Sequence, residues 1–226
     1  MYSAIKTTAF AAATMLFMLL AGKSVAQTSK FSVSVNSLTT NFNYGKANSD
    51  LVSYKKNFKG LQAGFSYQAG ITPGFSVVPE LYFVMKGGVL KEHNPLTINK
   101  STLRTYSIEI PVLARLHCNN LYMNAGPYAG YNIGGRIKIE GSGAVPESIT
   151  KLSFGKDANE FKRWDLGLVA GAGYNFITKK SVVTLDARYG YGLTNLSKNT
   201  ERYNRALNIS LVFSKPVKKK QEKDEK

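Results

Sequence analysis

The chain has 226 residues, 30 Lys and Arg against 14 Asp and Glu, and a formal net charge of +16. At 43% hydrophobic residues it is too apolar to stay disordered, and its one cysteine excludes an internal disulfide or a cysteine-based zinc site. Two histidines leave little for a histidine metal centre, so no metal and no cofactor is expected.

A surplus of this size invites a nucleic-acid reading. The N-terminus argues against it. Lys6 precedes an apolar run from Ala9 to Ala21, and Ser24 and Ala26 supply the small residues of a cleavage site. This is the anatomy of a secretory signal peptide over residues 1–26. The run is shorter than the about 20 residues of a membrane helix. A secreted chain does not meet chromosomal DNA, so no nucleic-acid partner is expected. If the processed chain enters a membrane, it must do so as a closed barrel, because no later segment is long and apolar enough for a helix.

From there the pattern has period two, the repeat of a half-buried strand. Phe31, Val33 and Val35 open a first strand, followed by a polar connection over residues 43–57. Leu61, Ala63, Phe65, Tyr67, Ala69 and Ile71 alternate with Gln62, Gly64, Ser66, Gln68 and Gly70 in the second, which ends at Thr72-Pro73-Gly74. Phe75, Val77, Pro79, Leu81, Phe83 and Met85 share one face of the third, with Ser76, Glu80, Tyr82 and Lys86 on the other. After residues 88–103, the fourth sets Tyr106, Ile108, Ile110, Val112, Ala114 and Leu116 against Ser107, Glu109, Arg115 and His117. Cys118-Asn119-Asn120 turns into the fifth, with Leu121, Met123, Ala125, Ala129, Tyr131 and Ile133 against Asn124, Gly126, Gly130 and Asn132. Residues 140–160 read as a long loop. The sixth strand runs Trp164, Leu166, Leu168, Ala170, Ala172, Tyr174 and Phe176 against Asp165, Gly167, Gly171, Gly173 and Asn175. A short turn at 178–181 leads to the seventh, with Val183, Leu185, Ala187, Tyr189, Tyr191 and Leu193 against Thr184, Asp186, Arg188, Gly190 and Gly192. After residues 195–202, Leu207, Ile209, Leu211 and Phe213 make the eighth.

Short turns therefore alternate with long polar connections. That is the layout of an all-β, eight-stranded, antiparallel, up-and-down transmembrane barrel, with short turns periplasmic and long loops extracellular. An even strand count puts both termini in the periplasm. A lipocalin-type barrel also has eight strands but is apolar inside. The polar face here is rich in Gly, Ser, Asn and Gln, which suits a narrow interior better than a wet exterior, where Thr, Lys and Glu make better strands. Phe31, Phe75, Phe176 and Phe213 would mark the periplasmic rim, and Phe83, Tyr106, Tyr131, Trp164 and Tyr191 the outer rim, as two aromatic girdles.

The interior then holds Glu80, Lys86, Glu109, Arg115, Asp165, Asp186 and Arg188. Isolated charges there are costly, so these seven are expected to pair as a structural polar network that plugs the lumen. Pro79, Pro111 and Pro127 fall mid-strand, where each removes a ladder donor, and local bulges are the expected accommodation. On the lipid face Leu168→Arg is expected to be damaging, whereas Gly167→Ser, pointing inward, is expected to do much less.

Val78-Pro79-Glu80-Leu81-Tyr82-Phe83 with Lys86-Gly87-Gly88, Tyr106-Ser107-Ile108-Glu109-Ile110-Pro111-Val112-Leu113, Asn124-Ala125-Gly126-Pro127-Tyr128, residues 167–173, and Arg188-Tyr189-Gly190-Tyr191-Gly192-Leu193-Thr194-Asn195 together resemble the PorT-like outer-membrane β-barrel family. The resemblance covers roughly residues 30–214 and makes the mid-strand prolines family features. It implies an eight-stranded barrel of the Gram-negative outer membrane. Its founding member is associated with a protein-secretion apparatus, most relatives have no assigned role, and no catalytic residues carry over.

The expected organisation is a signal peptide over 1–26, a barrel over 27–214, and a Lys-rich periplasmic tail over 215–226. A last strand ending on Phe213 resembles the terminal signal read by barrel assembly machinery, here followed by the tail. Lys6 and Lys23 leave with the signal, and the tail carries six Lys against three acids, which leaves +11 for residues 27–214. Much of it falls at Lys46, Lys55, Lys56, Lys91, Lys100, Lys151, Lys156, Lys162, Arg163, Lys198 and Arg202, in the expected outer loops. Basic loops are attracted to anionic headgroups, so outer-membrane lipids and lipopolysaccharide are the expected partners, with secretion-complex proteins a further expectation from the resemblance. A lipid A-modifying enzyme would need a histidine with a serine and an acid. His93, in a loop near Ser101, and His117, at the periplasmic rim, are the available candidates, but no motif ties either to a triad, so a non-enzymatic barrel is expected.

Overall fold

The computed structural model describes residues 29–143, 146–155, 160–178, 181–197 and 200–214. The signal peptide and the Lys-rich tail expected from the sequence lie outside the described residues. Eight long strands follow the alternation: β1 (Lys30–Asn43), β2 (Lys55–Thr72), β3 (Phe75–Leu90), β4 (Ser101–Cys118), β5 (Leu121–Ile139), β7 (Trp164–Ile177), β8 (Val182–Gly192) and β9 (Tyr203–Ser214), with a short β6 (Ser148–Lys151) between β5 and β7. Every neighbouring pair is antiparallel. β1 pairs with β9 and β4 with β5, so the sheet closes on itself as an eight-stranded barrel with no free edge.

Alternation along each strand decides what faces in. Val78, Tyr82 and Val84 are buried while Phe83 is 45% exposed, and Asp165 and Asp186 are 1% exposed while Leu168 and Leu185 point out. The outward residues form an apolar belt, which water would not tolerate and hydrocarbon covers. Both girdles are present: Phe31 stacks on Phe65 (5.9 Å) at the short-turn end, and at the other Phe83 stacks on Tyr106 (6.3 Å) and Tyr131 meets Trp164 edge to face (5.2 Å). Among the described residues no helix is long and apolar enough to cross a membrane.

Three features depart from the sequence reading. The loop expected over residues 140–160 contains β6, which adds to the upper part of β5 through Arg136↔Lys151 and Ile139↔Ser148. β2 begins at Lys55 rather than near Leu61, so Lys55 and Lys56 lie on a strand, and Lys151 lies on β6. The polar composition of these stretches hides their strand character, because they rise beyond the belt and both faces meet water. Finally, the prolines sit without bulges. Pro79↔Val112, Pro111↔Tyr128 and Pro127↔Leu168 lie in unshifted ladders, and the register shifts fall elsewhere, at Asn57/Leu61, Gly70/Thr72 and Tyr106/Ser107. A strand residue donates to only one neighbour, so each proline costs one bond and flanking pairs hold the register.

Candidate functional site

All seven charged residues singled out in the sequence lie on the inner face, and they fall into two clusters and an outlier. Towards the short-turn end, Arg188 is the hub. Its Nη1 donates to Glu80 Oε2 at 2.7 Å, and its Nε lies 2.6 Å from Asp186 Oδ1. The Tyr122 hydroxyl donates to Asp186 Oδ2, and Asn124 reaches the same oxygen. Towards the loop end, Lys86 Nζ sits 2.6 Å from Glu109 Oε1 and 3.8 Å from Asp165 Oδ2. Ser107 donates to Glu109, while Asn204 (2.7 Å) and Tyr128 donate to Asp165. Arg115 joins neither cluster. It donates to Gln68 at 3.1 Å and lies over the Tyr122 ring at 4.1 Å. Between the clusters, Gln62 accepts from Asn36 (3.1 Å) and Asn208 (2.6 Å), bridging three strands. Two pockets within the lumen measure about 40 and 30 Å³, room for a few waters each.

Two tyrosines escaped the sequence reading. Tyr122 and Tyr128 are 2% and 4% exposed and cross the lumen over glycines directly opposite them in register, Gly173 and Gly167. A Cβ at Gly173 would stand 2.3 Å from the Tyr122 ring, and one at Gly167 would stand 2.4 Å from both the Tyr128 ring and the Tyr191 carbonyl oxygen. Gly167→Ser is therefore not the mild change expected from sequence: the inward face there has no room for a side chain. Strand parity already placed both tyrosines inward, beside Asn124 and Gly130. Their aromatic character drew attention to the girdles instead.

The loop end is closed by a second, apolar core. Phe42, Tyr44, Leu51, Leu90, Leu103, Phe161 and Leu196 are buried together. The Arg202 guanidinium lies between the Tyr44 ring (5.9 Å) and the Phe161 ring (5.7 Å). Burial in this cap pushes the Tyr44 phenol up, with Arg202 opposing. Phe161 bridges Phe154 on one side and Ser197 on the other, which ties the β5–β7 connection to the β8–β9 loop. Outside the cap, Lys100 pairs with Glu140 and Lys138 with Glu147, each at 2.7 Å. Lys46 and Lys91 are exposed, as are Lys162 and Arg163, whose guanidinium lies 5.0 Å from the Phe154 ring. Lys156 and Lys198 lie outside the described residues.

The enzyme candidates are not brought together. His93 is exposed in the β3–β4 loop, with a φ of 53°. His117 is at the opposite end, near the base of β4, where its Nε2 lies 2.9 Å from Ser76 Oγ. Among the described residues no carboxylate contacts that ring, and its other aromatic neighbour is Tyr122 at 6.3 Å. A serine–histidine contact without an orienting acid, beside Arg115, lacks the third member of a triad. Among the described residues no group of three His, Cys, Asp or Glu side chains is disposed to hold a metal ion.

Comparison with known proteins agrees with this architecture. Residues 23–198 match the outer membrane protein beta-barrel domain family. No curated protein matches the chain. Among solved structures, Ail, the attachment invasion locus protein of Yersinia pestis in complex with the heparin analogue sucrose octasulfate, is similar over 84% of this chain and 99% of its own, at 14% identity and a TM-score of 0.44. Neisserial surface protein A is similar over 84% of this chain and 100% of its own, at 12% identity and a TM-score of 0.42. The N-terminal β-barrel domain of Pseudomonas aeruginosa OprF is similar over 82% of this chain and 100% of its own, at 12% identity and a TM-score of 0.29.

Proposed function

Because the chain belongs to the outer membrane protein beta-barrel domain family, we propose that it is a non-catalytic envelope protein that holds a packed, basic cap against the outer leaflet. In this reading residues 1–26 are a signal peptide, residues 27–214 form the barrel, and both termini and the 215–226 tail face the periplasm of a Gram-negative cell. The barrel assembly machinery inserts it, and lipopolysaccharide and neighbouring lipids are its standing partners. The lumen network of Glu80, Lys86, Glu109, Arg115, Asp165, Asp186 and Arg188 serves structure rather than transport.

The observation that carries the reading is the filled lumen. Two ion-pair clusters cross it, two tyrosines span it, and an apolar cap lies over it, so solute has no path and the exposed cap is the surface left for contact. Planar-bilayer recording tests this: the reconstituted barrel passes no ion current, and stable conductance steps would overturn the plug.

A PorT-like role as an accessory subunit of a secretion complex is the second reading, favoured by the Val78–Phe83 and Tyr106–Leu113 motifs taken together. Co-purification with secretion components from mild detergent would support it, and a clean monomer under the same conditions would sink it. For lipid A modification, His93→Ala and His117→Ala strains should give unchanged lipid A profiles. An altered profile in either would revive the enzyme.

A further inference from the structure

The apolar belt is broken in one place. On β1 the outward residues Phe31, Val33 and Val35 are followed by Ser37, Thr39, Asn41 and Asn43. Register shows what these polar positions stand against. Ser37 pairs with Leu61 and Ile209, and Thr39 with Lys59 and Leu207. Leu207 in turn pairs with Tyr189. Apolar side chains on β9, and on β8 beyond it, therefore stand opposite β1 positions that have turned polar. One step higher, Asn41 is opposite Arg205, and Arg205 is opposite Tyr191 of the outer girdle. The result is a polar notch in the lipid-facing wall, floored by Ser37 and Thr39 and flanked by Lys59 and Arg205.

Among the described residues, neither flanking cation has an acidic partner. β1, β2 and β9 contain no Asp or Glu, and the one acid of β8, Asp186, points into the lumen. Lys59 Nζ donates to Thr39 Oγ1 at 2.9 Å. Arg205 lies 3.5 Å over the Tyr191 ring, and its Nη1 donates to the carbonyls of Gly192 and Asn204. The stacking fixes the guanidinium at the height of the girdle, where headgroups begin. Hydroxyls and amides set among lipid tails are costly unless something polar meets them. Directly below the notch, Val33, Val35, Leu211 and Phe213 offer acyl chains a smooth apolar wall.

We infer that this notch is a binding site for the headgroup of a phosphorylated glycolipid of the outer leaflet. The phosphate lies between Lys59 and Arg205, sugar hydroxyls meet Thr39, Asn41 and Asn57, and the acyl chains descend along β1 and β9. Cations over a polar floor select phosphate, and the apolar wall beneath selects a lipid over a free anion. A protein partner is less suited, since a stable contact buries about 1,000 Å² or more and the notch is a few side chains wide. The inference rests on the proposed orientation, with the long loops outward.

Native mass spectrometry of the full barrel in detergent, titrated with bis-phosphorylated lipid A, tests it. Tight adducts are expected for the unaltered chain. Binding should weaken at least tenfold with lipid A stripped of phosphate and in Lys59→Gln/Arg205→Gln, whose folding is checked by its heat-shifted gel mobility. Arg205→Lys, which keeps the charge, should retain most of the binding. Lys46→Gln/Lys91→Gln, in the loops, should weaken binding less than the notch variant does. Equal binding of both lipids, or undiminished binding by the double notch variant, overturns the site. Loss of binding only in the loop variant also overturns it while leaving cap–lipid contact standing. A dimer that dissociates in the notch variant, with lipid adducts unchanged, would assign the notch to a second copy instead. Orientation is read separately, by labelling Ser49→Cys in intact cells, so failure of the site and failure of the topology give different results.

Discussion

Lys86 is the only cation contacting Glu109 and Asp165 among the described residues, which makes Lys86→Met an informative perturbation. At an effective dielectric of about 20, separations of 2.6 and 3.8 Å correspond to attractions of about 6 and about 4 kcal/mol. Desolvation of the three ions, several kcal/mol each, offsets most of that, so the triad as a whole contributes little net stability. Removing the cation alone is different. Two buried carboxylates then face each other with their desolvation uncompensated, and the expected loss is about 3–5 kcal/mol. Lys86→Met/Glu109→Gln removes the repulsion and leaves Asp165 with its Tyr128 and Asn204 donors. The double variant should therefore regain stability, with a coupling of about 1–3 kcal/mol in the mutant cycle. The assay is urea unfolding in phosphocholine vesicles, followed by the fluorescence of Trp164, the single tryptophan, which faces the lipid. If Lys86→Met unfolds within about 0.5 kcal/mol of the parent, below the usual cost of breaking a buried pair, or if the cycle is additive, the lumen pairing has been misjudged.

Further outcomes follow from the same geometry. Leu168→Arg, on the lipid face of β7, should cost about 2–4 kcal/mol near the bilayer midplane and lower the folded fraction on a heat-modifiability gel. Gly167→Ser should be destabilising too, because its Cβ meets backbone as well as the Tyr128 ring; Gly167→Ser/Tyr128→Ala should recover only part of the loss, since the Tyr191 carbonyl remains. Outside the cap, the Lys100 hydrogen bond holds the Glu140 carboxyl below its usual value of 4.5. A folded value below the unfolded one means that the stabilisation is complete above 4.5 and is lost as pH falls through the folded value. The hydrogen-exchange protection factor of the Glu140 amide, which donates to the Lys100 carbonyl, should fall over that acid range and stay flat above it.

Strand parity carried most of the fold. Asp165 and Leu168, or Asp186 and Leu185, are sorted to opposite faces by alternation alone, because a barrel wall separates two solvents and tolerates no slip. Closure was legible from the alternation of short turns with long connections. What stayed hidden depended on distance in sequence. Glu80 meets Arg188 across 108 residues, and nothing local says that Arg188, rather than Arg115, is the hub. The seating of Tyr128 on Gly167 depends on the β5–β7 register, which the long intervening loop conceals. The cap core was missed for a different reason. Leu51, Phe161 and Leu196 are scattered among polar loop residues without any period, and only tertiary packing assembles them with Phe42 at the end of β1. β6 was lost in the same way, as a short polar strand whose pairing with β5 is its sole support.

In the proposed orientation the barrel crosses the outer membrane with its short turns inside and its cap outside. Cys118, the single cysteine, is exposed beside the β4–β5 turn and provides a native reporter. A membrane-impermeant maleimide should leave it unlabelled in intact cells and label it once the outer membrane is permeabilised. Cys118→Ser/Ser49→Cys, with its thiol in the cap, should be labelled in intact cells. Labelling of Cys118 in intact cells, with Ser49→Cys protected, would contradict the account.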